Sequence, residues 1–516
     1  MGGRMRLLLG ALVFAAAVTF GLPVGSAGPL MTDQLVQVSG ASPFADCTAD
    51  DVAGQPGTNF LNSEVEPWVD VNPANPDNVV GIWQQDRWSN GGARGLVAGV
   101  SFNSGQTWQD VVIPKISLCS GGTAANGGDF LRATDPWLSF APNGDLYAMS
   151  LSLDPDQPTG GFGKNAMLVS KSTDGGSTWS DPITLVRDED PAVLNDKNSL
   201  TADSTDARFA YAVWDRVRIP VLSAASLAGR ENGITLGFKG PVMFSRTTNG
   251  GLSWEPARKI YDPAGNNSTL GSQIVVLPDG TVIDVFAEFL NVRNDDGGGF
   301  QDTSLSLIRS RDKGATWTHG PAIRAAKMLF QGALDPDTGR PIRAEGSIPE
   351  VAVDPATGNL YAVWQDLRFS GVDEVAFSMS TNGGLTWSAP VKVNQTPRSA
   401  RPLNQQAFLP SVHVAADGTV GVTYYDFRNN TSDPGALTDY WVVHCHSGCT
   451  DAGNWADENR LTNASFDIEK APFARGPFGF FIGDYEGLSS VGTDFVTFFS
   501  QQHGSDPASV FFRRAG

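Results

Sequence analysis

Four aromatic-led segments end in an acid closely followed by an arginine: Trp83-Gln-Gln-Asp86-Arg87, Trp214-Asp215-Arg216, Trp364-Gln-Asp366-Leu-Arg368 and Tyr424-Tyr-Asp426-Phe-Arg428. A guanidinium is a planar fork of N–H donors that matches a carboxylate bidentately. If Arg87, Arg368 and Arg428 converge, they form a receptor for an anionic group. In the competing reading each pair, Asp426 with Arg428 for instance, bridges neighbouring elements and fixes loop geometry. Both readings can hold at different positions. Three further residues could move protons: Asp135 in Arg132-Ala-Thr-Asp-Pro136, Glu350 in Gly346-Ser-Ile-Pro-Glu350, and Tyr485 in Gly483-Asp-Tyr-Glu-Gly487. The competing reading has Asp135 capping a turn, Glu350 as a solvated charge and Tyr485 in the core.

The elements that would position these residues are marked by a turn repeated five times: Ser101–Trp108, Ser172–Trp179, Thr247–Trp254, Ser310–Trp317 and Ser380–Trp387. Each copy fits S/T-x-D/N-x-G-x-S/T-W. The Asp or Asn can cap nearby backbone N–H groups, the Gly permits positive φ, and the Trp buries a large ring between sheets. Tight hairpin signals precede the turns and outnumber them. They fall at 72–78, Pro142–Asp145, Asp203–Asp206, Pro278–Gly280, Pro355–Asn359, Asp417-Gly418 and Gly492–Asp494. Asn-Gly and Asp-Gly between apolar runs are strong hairpin signals. The sixth unit has Cys445-His-Ser-Gly-Cys449 and Trp455 in place of the turn, and the seventh stops after its third strand. The alternating stretch Asp33–Ser39 could supply that unit's fourth strand and so remove a free sheet edge. The 58 Gly and 32 Pro suit a turn-dense all-β chain, and 13 Trp and 29 Phe suit sheet-to-sheet faces. One insertion, between Asp215 and Pro241, carries a predicted helical turn or two at 222–228.

The repeated turn resembles the Asp-box, or BNR repeat, of the sialidase-like β-propellers, and the similarity covers nearly the whole mature chain. The resemblance implies a single all-β propeller over 28–516, with the turns on the face away from the active site. Counting hairpins predicts seven four-stranded antiparallel blades, the last shared by both termini; six, the count typical of the family, is the alternative. In bacterial sialidases an Asp-Pro segment supplies the general acid/base, which Asp135 matches. Glu350 matches the glutamate that polarises a tyrosine nucleophile, and Tyr485 the tyrosine. A neutral nucleophile suits a carbon already bearing a carboxylate, because an anionic one would be repelled. Arg87, Arg368 and Arg428 are then the candidates for gripping that carboxylate. The chain also departs from the family. The first-blade Phe/Tyr-Arg-Ile-Pro is replaced by Val65-Glu66-Pro67-Trp68, and the Arg-Ile-Pro at Arg218–Pro220 falls after the second strand of the third unit. The expected function is a secreted sialidase-like glycoside hydrolase acting on an extracellular glycan, retaining, with a Tyr nucleophile and an Asp acid/base. The alternative is a non-catalytic propeller that binds a glycan or a protein. A third reading is a polysaccharide lyase built on Arg428, Tyr425 and His413.

Arg4 and Arg6, the apolar run Leu7–Phe20 and the small residues Gly25-Ser-Ala27 predict a signal peptide over 1–27, too short to span a membrane. Export predicts oxidised cysteines, Cys445 with Cys449 and Cys47 with Cys119. The rival for the former is a metal site formed by His444, Cys445, His446 and Cys449. With Lys+Arg 36 against Asp+Glu 55 the net charge is −19, which argues against nucleic acid or an anionic surface as partner. No cofactor is predicted. Structural calcium is conceivable at Asp295-Asp296 and Asp335-Pro-Asp337, although no EF-hand spacing is present.

Overall fold

A computed structural model describes residues 30–516 apart from 53–54, 56, 158–160, 219–238, 266, 291–301, 345, 456 and 475–478. The predicted signal peptide, the helix predicted at 222–228, Ile219-Pro220 and Asp295-Asp296 lie outside the described residues. Short apolar runs punctuated by turn residues commit the rest to antiparallel strands, and no α-helix occurs among the described residues. The strands form four-stranded units in chain order, spanning 64–112, 132–188, 193–261, 268–327, 350–392 and 407–460. A last unit, 487–515, takes Val36–Gln37 as its fourth strand, with Val36 opposite Phe512 and Gln37 opposite Phe511. The N-terminal segment thus closes a sheet edge that the alternating pattern marked for it. A small extra sheet joins Ile342–Arg343, Phe473–Ala474 and Gly479–Phe481.

The first strand of each unit packs beside the first strand of the next, and Gly487–Val491 returns to Glu64–Val71. These inner strands therefore surround a common channel. Apolar side chains fill the space between adjacent units, as where Tyr211 and Phe244 of the third meet Ile274 and Phe286 of the fourth. The repeated turns behave as their residue types require. Ser172 donates to Asp174 (2.8 Å), Gly176 N donates to Ser172 Oγ (2.9 Å) and Thr178 N to Asp174 (2.9 Å). Both cystines form, Cys47–Cys119 and Cys445–Cys449, so the rival metal site has no thiolates. In the sixth unit Trp455 donates to the Cys449 carbonyl (2.9 Å) and packs on Phe377, which gives the disulfide the place of the missing turn.

Five inner strands carry a β-bulge at the same register, between Val65 and Trp68, Thr134 and Trp137, Asp196 and Ser199, Leu270 and Gln273, and Phe408 and Ser411. The first bulged residue is left-handed in each: Glu66 (φ 52°), Asp135 (50°), Lys197 (48°), Gly271 (68°) and Leu409 (49°). Such a conformation costs a non-glycine residue about 1–2 kcal/mol and persists only where surrounding contacts hold it. In three strands the next residue is proline (Pro67, Pro136 and Pro410), which has no N–H for the ladder. The bulges re-aim the side chains they carry.

Candidate active site at the end of the central channel

Three of the re-aimed side chains meet. Lys197 Nζ contacts Asp484 directly and lies 3.8 Å from Glu66. Its backbone N–H is shared by two carboxylates, Asp196 Oδ1 at 3.0 Å and Asp135 Oδ2 at 3.3 Å. Thr134 Oγ1 donates to Asp135 Oδ1 (3.0 Å), and Asn198 donates to the Asp135 carbonyl (2.9 Å). Arg343 grips Asp484 from the far side with both arms of its fork, at 2.9 and 3.3 Å. Gln84 donates to Glu66. Glu66, Asp135, Lys197 and Asp484 are buried, while Asp196 and Arg343 are half-buried and give the cluster its contact with solvent.

Burial and mutual repulsion sort these groups into different protonation states. Burial, reinforced by Asp135, pushes the Glu66 carboxyl well above its usual range. Burial lifts Asp196 to about 7 despite the Lys197 ammonium. For Asp484, burial is outweighed by Arg343 and Lys197, which hold it well below the ordinary carboxylate range. Burial alone would discharge Lys197, but Asp484, Asp135, Glu66 and Asp196 together hold it firmly charged. The cluster thus contains a strong ion pair beside carboxyl groups of quite different acidity, the condition under which one fold can run acid and base chemistry together.

The predicted residues fare unequally. Asp135 sits in the cluster. Tyr485 lies directly beneath, with its ring edge-on to Trp68 and Trp137, which stack at 3.6 Å. Its phenol donates to the Pro136 carbonyl at 2.9 Å, and burial with nearby Glu66 and Asp135 raises its pKa. Glu350 is buried on the channel wall, accepts from Gln273 (2.8 Å) and is lifted by burial to about 8. Arg87 is buried within reach of the cluster, donating to Gln84 (2.6 Å) and Thr134 (3.3 Å) above the Phe481 ring. Burial, then Arg343, lowers its pKa.

Arg368 and Arg428 do not join Arg87. Arg368 is committed to Asp366 (2.7 Å) and the Lys327 carbonyl. Arg428 is committed to Asp426 (2.5 Å), Glu458 and the face of Trp441. Asp426 is further shared by Thr396 and Trp441. Here the bridging reading describes the geometry. The recurrent Asp–Arg signature is also not one structural position. Ladder register places Asp366 and Asp426 level with Gln85 and Glu288, but Asp215 one residue earlier, on the opposite side of the pleat. Of the third candidate set, the Tyr425 phenol donates to the Ser500 carbonyl (2.6 Å), while His413 lines a separate cavity of about 130 Å³ lower in the channel.

Glu66, Asp196, Lys197, Arg343 and Asp484 were not anticipated as site residues. A signal existed for the first: Glu66-Pro67-Trp68 repeats the pattern of Asp135-Pro136-Trp137 one unit earlier. Asp484 adjoins Tyr485. Lys197-Asn198 shares the bulge without the proline, and Arg343 reaches the channel from a long connection, so nothing local marked either one. Among the described residues, the one grouping with metal-ligand proximity is Asp50 beside Cys47 and Cys119, whose sulfurs are tied up in a disulfide. Asp335 caps its own turn through Thr338 and the Asp337 amide, and Asp337 pairs with Arg401. No helix among the described residues is long and apolar enough to cross a membrane.

No protein-family model matches the chain, and no curated protein matches it. Solved structures do resemble it. A Hadza microbial sialidase is 16% identical with a TM-score of 0.44, covering 85% of this chain and 73% of that chain. The leech intramolecular trans-sialidase is 11% identical with a TM-score of 0.42, covering 95% and 98%. An α-L-arabinofuranosidase of Fusarium graminearum is 12% identical with a TM-score of 0.44, covering 77% and 93%. Likenesses this distant assign neither substrate nor residue roles.

Proposed function

We propose that this chain is a seven-bladed β-propeller working as a secreted glycoside hydrolase on an extracellular glycan, with its chemistry at the Asp135 end of the channel. The observation that carries the reading is the single Lys197 amide shared by Asp135 and Asp196. The two oxygens can be no farther apart than those hydrogen bonds laid end to end. Two carboxyl groups that share one donor leave little room for a water between them, which suits the closer spacing of a retaining pair better than the wider spacing of an inverting one. Asp196, half-buried and lifted by that burial to about 7, suits the acid that protonates a leaving oxygen near neutral pH. Asp135, held by Thr134 and the Lys197 amide, suits the nucleophile. The role that the resemblance gives Tyr485 requires its phenol to leave the Pro136 carbonyl and to lose a proton its surroundings retain; we therefore place Tyr485 as the support of the Asp135-Pro136 bulge.

The test is release of fluorophore from a panel of aryl glycosides, a sialoside among them, by the wild type, Asp135→Asn and Asp196→Asn. We expect turnover of at least one member, a fall of about 10²–10⁴-fold in kcat for either variant, and loss of the alkaline limb near pH 7 in Asp196→Asn. Turnover abolished by Tyr485→Phe but untouched by Asp196→Asn would restore the tyrosine mechanism. No turnover of any member would favour the non-catalytic binding propeller.

A further inference from the structure

The acid assigned to Asp196 has a buried neighbour of its own kind. Asp196 is the last paired residue of its inner strand before the bulge, and the ladder sets it directly opposite Asp215 on the second strand of the same unit. Residues opposed in an antiparallel ladder share a face, with Cβ atoms about 4.5–5.5 Å apart. Asp215 is fully buried and reaches into the fourth unit. There it accepts at Oδ1 from Thr269 Oγ1 (2.6 Å) and at Oδ2 from the Gly271 amide (2.8 Å). Asp284 of the fourth unit is fully buried as well, and neither of its oxygens has a hydrogen-bond partner. Burial, then Asp215, pushes its carboxyl well above the carboxylate range, so it stays protonated. No lysine or arginine balances this column. Among the described residues neither Asp215 nor Asp284 has an ion-pair partner, and Arg216, next in sequence, pairs with Asp188 (2.7 Å).

Two carboxyl groups this close repel strongly when both are charged, and such groups titrate as a pair rather than singly. The charged and titratable groups that face them are few. Asp196 meets Asp135 from the second unit, Lys197 beside it, Arg343 from the long connection, and Asp215; Asp215 meets Asp196 and Asp284. Burial lifts Asp215 to about 7, with Thr269 and Gly271 working against it and Asp196 with it, so both carboxyls titrate in one range. The donors decide where a shared proton rests. Asp215 accepts at both oxygens, whereas Asp196 accepts from the Lys197 amide alone, which it shares with Asp135. We propose that Asp196 and Asp215 form a carboxyl pair holding one proton between them, and that Asp215 thereby keeps Asp196 protonated as the acid of the reaction above. The role of Asp196 as acid rests on the hydrolase reading; the pair itself does not. Asp215 touches no reacting atom and acts through Asp196, as a positioning residue.

The experiment is a carbon-13 NMR titration of the full mature chain labelled at its aspartate carboxyl carbons. The Asp196 signal is assigned by its loss in Asp196→Asn, and the pH profile of kcat/KM is recorded on any aryl glycoside that is turned over. The variants are Asp215→Asn, which removes the second charge, and Thr269→Val, which keeps the shape and takes one donor from Asp215; either suffices if the other does not fold. We expect the Asp196 midpoint to fall by about one pH unit or more in Asp215→Asn and by less in Thr269→Val, and the alkaline limb of the profile to move with it. A midpoint unchanged or raised would overturn the proposal, as would a lower kcat with the limb left in place, the mark of a merely structural role. The expected fall of the midpoint in a protein that cleaves no glycoside would leave the pair standing and remove the hydrolase. Turnover that loses its alkaline limb in Asp196→Asn but keeps it unmoved in Asp215→Asn would leave the hydrolase standing and sink the pair.

Discussion

Lys197 is pinned between Asp484 and Glu66 while its own amide serves Asp135 and Asp196, and its side chain is 7% exposed. Removing one partner of a buried pair leaves uncompensated charge, at about 3–5 kcal/mol. Lys197→Met is therefore expected to lower the unfolding free energy in denaturant by that order, and the added substitution Asp484→Asn to recover part of it. Full additivity of the two would show that the contact carries no coupling. Glu350 offers a cleaner titration. Burial raises its carboxyl from 4.5 to about 8 in the folded state. A raised folded pKa contributes stability that is complete below the unfolded value and lost as pH rises through the folded one. Stability should thus decline between about pH 4.5 and 8, and Glu350→Gln should flatten that decline. An unchanged slope in urea melts across this range would mean that the group is ionised in the fold.

At the scale of elements, the repeated turn was the most legible feature of the chain, because its chemistry is local. Asp312 accepts from Thr316 N (2.8 Å) and Thr316 Oγ1 (2.6 Å), and Ser310 Oγ donates to it at 2.8 Å. Burial pushes the Asp312 carboxyl up, but the hydrogen bonds from Thr316 and Ser310 together outweigh it and draw the carboxyl down to about 2. Asp312→Ala should cost about 0.5–2 kcal/mol, as loss of a capping side chain does, read as a lower melting temperature with an unchanged far-UV spectrum. The hairpins and the β-strand at Val36–Gln37 were legible for the same reason. The bulges were not. Proline interrupts three of them, but Lys197-Asn198 reaches the same left-handed geometry with no proline, and Gly271-Ser272 reaches it with a glycine alone. Their register is fixed by neighbouring inner strands, which no local pattern announces. The Asp–Arg signature misled in the opposite sense: similar spelling at Asp215, Asp366 and Asp426 conceals a one-residue offset in the ladder. What a side chain faces in a sheet depends on that offset, which has to be measured in the fold.

For the molecule as a whole, the seam between its ends is the natural weak point. The last unit borrows Val36–Gln37, Leu30 exchanges hydrogen bonds with Asn459, and Arg513 donates to the Asp33 carbonyl (2.8 Å). The two disulfides brace this ring very differently. Cys47–Cys119 spans 72 residues and ties the segment after the closing strand to the end of the first unit, while Cys445–Cys449 spans 4. On chain entropy alone the longer loop contributes about 4 kcal/mol and the shorter about 2 kcal/mol. Opening the long loop also frees the N-terminal segment from the seam, so its effect should exceed the entropic difference. The pair substitution Cys47→Ser with Cys119→Ser is therefore expected to lower the melting temperature more than Cys445→Ser with Cys449→Ser. It should also raise hydrogen exchange in residues 30–39 and in the strand Asp506–Ala515 that they cover. Equal losses, or exchange unchanged along that strand, would mean that the seam is held by its own strand pairing and that the disulfide is a local clasp.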